Sequence, residues 1–516
     1  MKKIIALFMS AVLLVSCAVT GVSAADNDTS PVIVVSGVGT RGFYKDYGTE
    51  NEVSVFPPTV DFPYVLMTAA SGITRAVLTS DMSKFTEAVS LILENIFDGF
   101  MCDENGDSKY DNVGSVYYPE SIDNYDFDYT DDAPEIAIAG AVSEIVGEEN
   151  TYFYNYDWRL DPCANASGLD EMIQKVKHET GSEKVTLIPC SMGGVQTVAY
   201  LNEYGCDDIK KIIFMSSAHK GLLFVSELFT GEIGIEQKDL FMFLQQFLNL
   251  GTDGTDALLD KVWSDLGSAS YLNGVFSALD SFVVRVSDDN IYGSLRRIFG
   301  RMPGMWAFVR DEYFDEAYSF MIDDNMSDEL VEKITYYHEN VGSRTDEILS
   351  QAKESGVEIA ICSHYDKGAV PLTEQACREG DSLIETVCTS NGATVAPSGE
   401  TLGEDYTQAK DCKGHNHLSA DNKIDASTCL FPDSTWFIKG ASHVGCKYGS
   451  DYSEFIKWLV STENTDVFAN EAYPQFMQTD NSEMTLRPVD PPEETGSWAS
   501  VIALVIKDIK NIIFKK

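Results

Sequence analysis

The chain has 516 residues, 44% hydrophobic and 11% aromatic. That is ample material for a large core and too apolar for a disordered or fibrous protein. Acidic residues outnumber basic ones 81 to 37, for a formal net charge of −44, so the surface repels polyanions and nucleic acid is excluded as a partner.

Residues 1–24 read as a secretory signal. Lys2 and Lys3 precede an apolar run at 4–15 that is too short to span a bilayer, and Val22-Ser23-Ala24 offers a small-residue cleavage site. Soluble secretion is the favoured reading. A second reading stands beside it: Leu14-Val-Ser-Cys17 resembles a bacterial lipobox, which would leave Cys17 lipidated and the protein on the cell surface.

Residues 31–36 form a continuous apolar run suited to a fully buried parallel strand, ending in the glycine-rich loop 37–42. Residues 85–96 and 168–179 have helical spacing. Further strands are expected at 152–156, 185–188, 210–215, 357–361 and 436–438. Strands alternating with helices predict an α/β protein with a mainly parallel central sheet and right-handed crossovers. From 220 to 340 the texture turns helical, with Leu240, Phe241, Phe243, Leu244, Phe247 and Leu248 at helical spacing. This predicts a helical cap inserted between two parts of one core, 25–219 and 341–461. A second insertion, at 377–429, is polar and contains Cys and His. Residues 462–516 read as an acidic linker and a C-terminal amphipathic helix.

The strongest chemical signal is Val185-Thr-Leu-Ile-Pro-Cys-Ser191-Met-Gly193-Gly194. It reads as strand, tight turn, small residues and helix, the context of a nucleophile elbow. A serine there projects its hydroxyl above the sheet, and the helix N-terminus favours a developing oxyanion. Pro189 stands where the usual pattern has glycine. Such a serine needs an acid and then a histidine further along the chain. Asp366, just past the strand at 357–361, is the expected acid. His443, in the loop after the strand at 436–438, is the expected base. The backbone N–H of Met192 and one from the first loop, Val38 or failing that Gly39, are the expected oxyanion donors. His219 is expected to shape the rim of the site, and His364 to bond locally. Asp157 rivals Asp366 but precedes the serine in the chain.

Four stretches occur in order: Pro31-Val-Ile-Val-Val-Ser-Gly-Val-Gly39, Tyr154-Asn-Tyr-Asp-Trp-Arg-Leu-Asp-Pro162, the Ser191-Met-Gly-Gly elbow and Met302-Pro-Gly-Met-Trp306. Together they resemble the lecithin:cholesterol acyltransferase family of α/β-hydrolases. The resemblance covers about residues 31–443 and implies an α/β-hydrolase fold with a Ser191–Asp366–His443 set. It also implies a mobile lid over an acyl-binding cleft, and metal-free ester chemistry on lipids by transfer or hydrolysis. Trp306 and its apolar neighbours are then candidates for lining the cleft. Two other functions remain open: an esterase for non-lipid acyl esters such as acetylated glycan, and an inert surface-binding protein that keeps the fold.

Asp103, Asn105, Asp107 and Asp111 have the alternation of a calcium loop, but Ser108 and Gly114 stand where glycine and glutamate belong, so an acidic surface turn is expected. Cys412, His415 and His417, with Cys388 and Cys429, are zinc-type ligands at the spacing of no standard site. The expectation is no metal and no cofactor. Instead, local disulfides are expected among Cys362, Cys377, Cys388, Cys412, Cys429 and Cys446. In the tail 498–516, Val501, Ile502, Val505, Ile509, Ile512 and Ile513 lie towards one face and Lys507, Lys510, Lys515 and Lys516 lie opposite or beyond. That fits a helix lying on anionic lipid.

Overall fold

The computed structural model describes residues 30–491 apart from 57, 59–61, 80–82, 131–132, 232–233, 236–283, 286–288, 368–377 and 481–482. The leader with Cys17, the apolar run at 240–248 and the amphipathic tail lie outside the described residues.

The expected strands assemble into one eight-stranded sheet. In chain order they are β1 (Val32–Val35), β2 (Thr151–Tyr154), β3 (Val185–Pro189), β4 (Ile209–Met215), β5 (Glu358–Tyr365), β6 (Thr435–Lys439), β7 (Phe476–Gln478) and β8 (Arg487–Pro488). Their spatial order is β8-β7-β6-β5-β4-β3-β1-β2. Every pairing is parallel except β7 with β8. The part of 462–516 expected as linker thus supplies the last two strands at one end of the sheet, because Phe476 and Met477 bring apolar side chains to β6.

Alternate residues of each strand feed opposite faces. Ile33 and Val35 enter one apolar cluster with Leu187, Phe214 and Ile361, while Val32 and Val34 enter the other with Ile188, Ile213 and Trp436. Eleven of the helices bear on the argument: α1 (Phe62–Thr79), α2 (Ser83–Phe97), α3 (Pro134–Val146), α4 (Pro162–Thr180), α5 (Gly193–Tyr204), α6 (Leu223–Thr230), α7 (Asp289–Ile298), α8 (Phe314–Met321), α9 (Asp328–Tyr337), α10 (Thr345–Glu354) and α11 (Asp451–Ser461). Helices α4, α5 and α10 cover the first face, and α3 and α11 the second. Local signals set their ends: α4 starts with Asp161 accepting from Cys163 N–H and Pro162 in its first turn, and stops at left-handed Gly181.

The described part of the helical insertion extends the first cluster. Val225, Phe229, Leu295, Trp306, Phe314 and Leu330 are buried in continuity with the sheet. A small antiparallel sheet of Phe43–Lys45, Val53–Phe56 and Val113–Ser115 follows the first loop.

Disulfides do not form among the described cysteines, all nine of which are free. Cys362, Cys388 and Cys429 sit in three different apolar clusters, so their side chains do not meet. Cys377 lies outside the described residues.

Candidate active site

Parallel strands place their loops at one edge, and β1 pairs with β3 on one side and β2 on the other. The chain reverses its winding at β1, the usual position for a site in such sheets. The loop after β1 therefore lies beside the turn after β3.

That turn is strained at one residue. Ser191 has φ 51°, a left-handed conformation that costs a non-glycine residue about 1–3 kcal/mol. Hydrogen bonds hold it there. Ser191 N–H donates to Met215 O at 3.1 Å, and Ser191 O accepts from Gly194 N–H and Ala218 N–H at 3.1 and 2.9 Å. Both following glycines are required by space. A Cβ on Gly193 would lie 2.3 Å from Val35 O, and one on Gly194 would lie 1.7 Å from Ser217 Oγ. Pro189 is accommodated because Cys190 N–H, not residue 189, donates to Val35 O.

His443 reaches this serine from the loop after β6. Its Nε2 lies 2.9 Å from Ser191 Oγ and its Nδ1 lies 2.8 Å from Asp381 Oδ2. Asp381 is fully buried. Its other oxygen accepts from the N–H groups of Leu383 and Ile384 at 3.0 and 2.7 Å. Burial alone would raise the Asp381 carboxyl. The His443 charge and hydrogen bond and the Ile384 N–H outweigh it and hold the carboxyl below its ordinary value. Burial alone would lower His443, but Asp381 and then Glu135 outweigh it and raise the imidazole above its ordinary value. With an ionised acceptor on Nδ1, that nitrogen carries the proton and Nε2 faces the serine hydroxyl as acceptor.

Asp366, the expected acid, does not meet His443. It directly follows β5 with φ 71° and turns its carboxylate to Lys423 and Lys439. The chain meets it again at Glu379 and Gly380. Lys367 N–H donates to Gly380 O at 3.1 Å and Asp366 N–H to Glu379 Oε1 at 2.7 Å. This return carries Asp381 to the histidine. The chain order of serine, acid and histidine is kept.

Met192 directly follows Ser191, at the N-terminus of α5. Neither its N–H nor that of Val38 donates to another described residue. Gly37 makes the closest approach to the serine, since a Cβ there would lie 2.8 Å from Ser191 Cβ. Gly39 is glycine for another reason: its φ is 70° and a Cβ would lie 2.3 Å from the Phe56 ring.

Glu135, at the head of α3, is a participant the sequence reading missed. It is buried. Its Oε1 accepts from Thr40 Oγ1 at 2.8 Å and would lie 3.3 Å from a Cβ on Gly37. The only sequence trace of it is one carboxylate heading an apolar run at 136–142.

The other expected residues take different places. His219 is buried behind the elbow, not on the rim. Its Nδ1 pairs with Ser217 Oγ at 3.0 Å and its ring lies 4.6 Å from that of Phe214. Burial, then the Lys220 charge, lowers it to about 3, so it is neutral at working pH. His364 donates from Nδ1 to Ser442 O at 2.8 Å and pairs through Nε2 with Tyr452 Oη at 2.5 Å. It thereby fixes the residue before His443. Burial lowers it to about 4. Trp306 is buried inside the helical insertion, against Phe229 and Phe314, with its indole N–H on Gly300 O at 2.8 Å. It touches no residue of the Ser191 site among these contacts. Its neighbour Gly304 does approach: a Cβ there would lie 1.9 Å from Trp158 O and 3.0 Å from Met192 Cε.

Asp157 and Arg159 are structural. Arg159 is fully buried, paired with Asp157 through two nitrogens and bonded to Phe100 O at 2.9 Å. The acidic turn at Asp103 receives Lys333, whose ammonium lies 2.9 Å from both Asn105 O and Asp107 Oδ1; a cation from α9 thus occupies that turn.

No family model matches the chain, and no curated protein matches it. Among solved structures, the crystal structure of the Tle4-Tli4 complex aligns over 40% of this chain and 48% of that one, at 11% identity and a TM-score of 0.24. The aligned region spans about half of that chain.

Proposed function

We propose that this protein is an exported serine hydrolase or O-acyltransferase of the α/β-hydrolase type, acting on lipid-like acyl esters and akin to the lecithin:cholesterol acyltransferase family. One observation carries the reading: the unbroken chain Ser191 Oγ, His443 Nε2, His443 Nδ1, Asp381 Oδ2, with links of 2.9 and 2.8 Å. Ser191 Oγ attacks the ester carbonyl carbon as His443 Nε2 takes its proton. The Met192 and Val38 N–H groups receive the oxyanion. The ester C–O bond breaks, and His443 returns the proton to the departing alcohol. Water or a second alcohol, deprotonated by His443, then attacks the acyl-Ser191 carbonyl and releases the serine. Asp381 holds the tautomer and the imidazolium throughout.

The lipid-like substrate follows from the family resemblance, and helices α1 and α2, which leave Met67, Leu78 and Leu91 exposed, are the surface proposed to meet it. No helix among the described residues is long and apolar enough to cross a membrane.

A fluorophosphonate probe should label Ser191 and no other serine. Ser191→Ala should lose labelling and ester turnover by about 10⁴–10⁶. Failure of the folded wild type to label would overturn the enzymatic reading. Turnover of acetyl but not long-chain esters would overturn the lipid-like substrate alone.

A further inference from the structure

The Cys-rich insertion meets the sheet at a group of side chains that the hydrolytic site does not use. His417 is fully buried. Its Nδ1 lies 2.8 Å from Gln475 Oε1. The Gln475 amide nitrogen donates to Pro432 O and Thr435 O at 2.8 and 2.9 Å, so its oxygen must be the atom facing the imidazole. His417 Nδ1 therefore carries the proton, and Nε2 of the neutral ring presents a lone pair.

That lone pair points at another. His417 Nε2 and Asp433 Oδ1 are both buried with no hydrogen-bond partner, yet they stand 3.3 Å apart. Two bare acceptors face each other only if a cation joins them. His415 Nδ1 converges on the same Asp433 oxygen at 3.7 Å, and all three ligand atoms lie within 4.8 Å of one another. A shared proton joins two atoms, and a charge-assisted hydrogen bond is shorter, about 2.7–2.9 Å. Ligands held about 2.0–2.2 Å from a tetrahedral zinc stand roughly 3.3–3.5 Å from each other. Two imidazoles and a carboxylate suit that metal. The Gln475 bond is the outer contact that orients such a histidine, and Phe468 packs 4.4 Å from the His415 ring and 5.5 Å from the His417 ring as an apolar shelf.

We propose that His415, His417 and Asp433 bind one Zn²⁺ ion, which clips the insertion onto β6, the strand that leads to His443, and onto its neighbour β7. Asp433 lies two residues before β6, and Gln475 immediately precedes β7. The ion joins residues 415–417 to both strands and leaves its fourth position to water. It lies outside the Ser191–His443–Asp381 chain and takes no part in ester cleavage.

The test uses the full chain, loaded with ZnCl₂ and then gel-filtered. Elemental analysis should find about one zinc per chain in the wild type. Asp433→Asn and His415→Ala should weaken zinc binding by at least the ~10–100-fold that outer-shell changes cost. His415 is largely exposed, with 47% of its side chain accessible, so His415→Ala should keep the wild-type circular dichroism. A chelator should lower the wild-type Tm and leave that of His415→Ala unchanged. No retained zinc in the wild type, or equal retention in wild type and His415→Ala, would overturn the site and leave His417 and Asp433 joined by a proton.

Discussion

At Asp381 and Asp366, two aspartates fifteen positions apart end in opposite circumstances. Asp381 is dry and receives two backbone N–H groups and an imidazole, whereas Asp366 is partly exposed between two lysines. Asp381→Asn should keep the fold but favour the wrong His443 tautomer, and lower kcat by about 10⁴. Asp366→Asn should leave kcat within about tenfold, and the opposite ranking in steady-state assays would return the acid's role to Asp366. Glu135 gives a second residue-scale expectation. His443 is raised above its ordinary value by Asp381 and then Glu135, and only the neutral imidazole accepts the serine proton. The ascending limb of kcat/KM should therefore lie above about pH 6.5. Removing the Glu135 charge makes the imidazolium less favourable, so Glu135→Gln should move that limb to lower pH. A limb that stays in place would separate Glu135 from the chemistry. Ser191 and His443 were legible in the sequence because each follows a strand with a recognisable apolar run and small neighbours. The acid was not. Its position depends on a fold-back sealed by Glu379 and Gly380, contacts with no periodic or spacing signal.

Elements tie the helical insertion to this acid loop. Glu385, a few residues past Asp381, accepts the Leu223 and Phe224 N–H groups at the start of α6, each at 3.2 Å. Arg378 pairs with the buried Glu227 of the same helix at 2.6 Å. The positions of six strands were readable from composition, since fully buried parallel strands are continuous apolar runs. The last two strands were hidden in an acidic, proline-containing stretch, where Phe476 and Met477 are too few to make a run. The hairpin α1–α2 is the element that bears on substrate. Leu78 is 80% exposed and Met67 70% exposed, so neither stabilises the fold by burial. Leu78→Glu should leave Tm within about a degree, because exposed substitutions cost little. It should also leave turnover of a monomeric short-chain ester unchanged, and lower the rate on aggregated long-chain esters several-fold. Equal rates on both substrates would detach the hairpin from lipid contact.

For the whole molecule the charge decides how a lipid surface can be met. A body that gives the chain a net −44 repels anionic vesicles over a distance set by salt, about 30 Å at 0.01 M and about 8 Å at 0.15 M. The tail at 498–516 has the opposite sign, with Lys507, Lys510, Lys515 and Lys516 against Asp508. A basic amphipathic helix gains about 1 kcal/mol per lysine near an anionic surface, and salt weakens that attraction as well. The two contributions therefore respond to salt in opposite directions. If the tail leads the encounter, binding of the full chain to anionic vesicles should fall as salt rises from 0.01 to 0.15 M. A chain ending at residue 497 should bind more weakly at low salt, and its residual binding should rise with salt as the repulsion of the body is screened. Vesicle co-sedimentation reads both slopes. The same slope in both chains would place the lipid contact on the body, where the exposed apolar side chains of α1 and α2 are the surface best suited to make it.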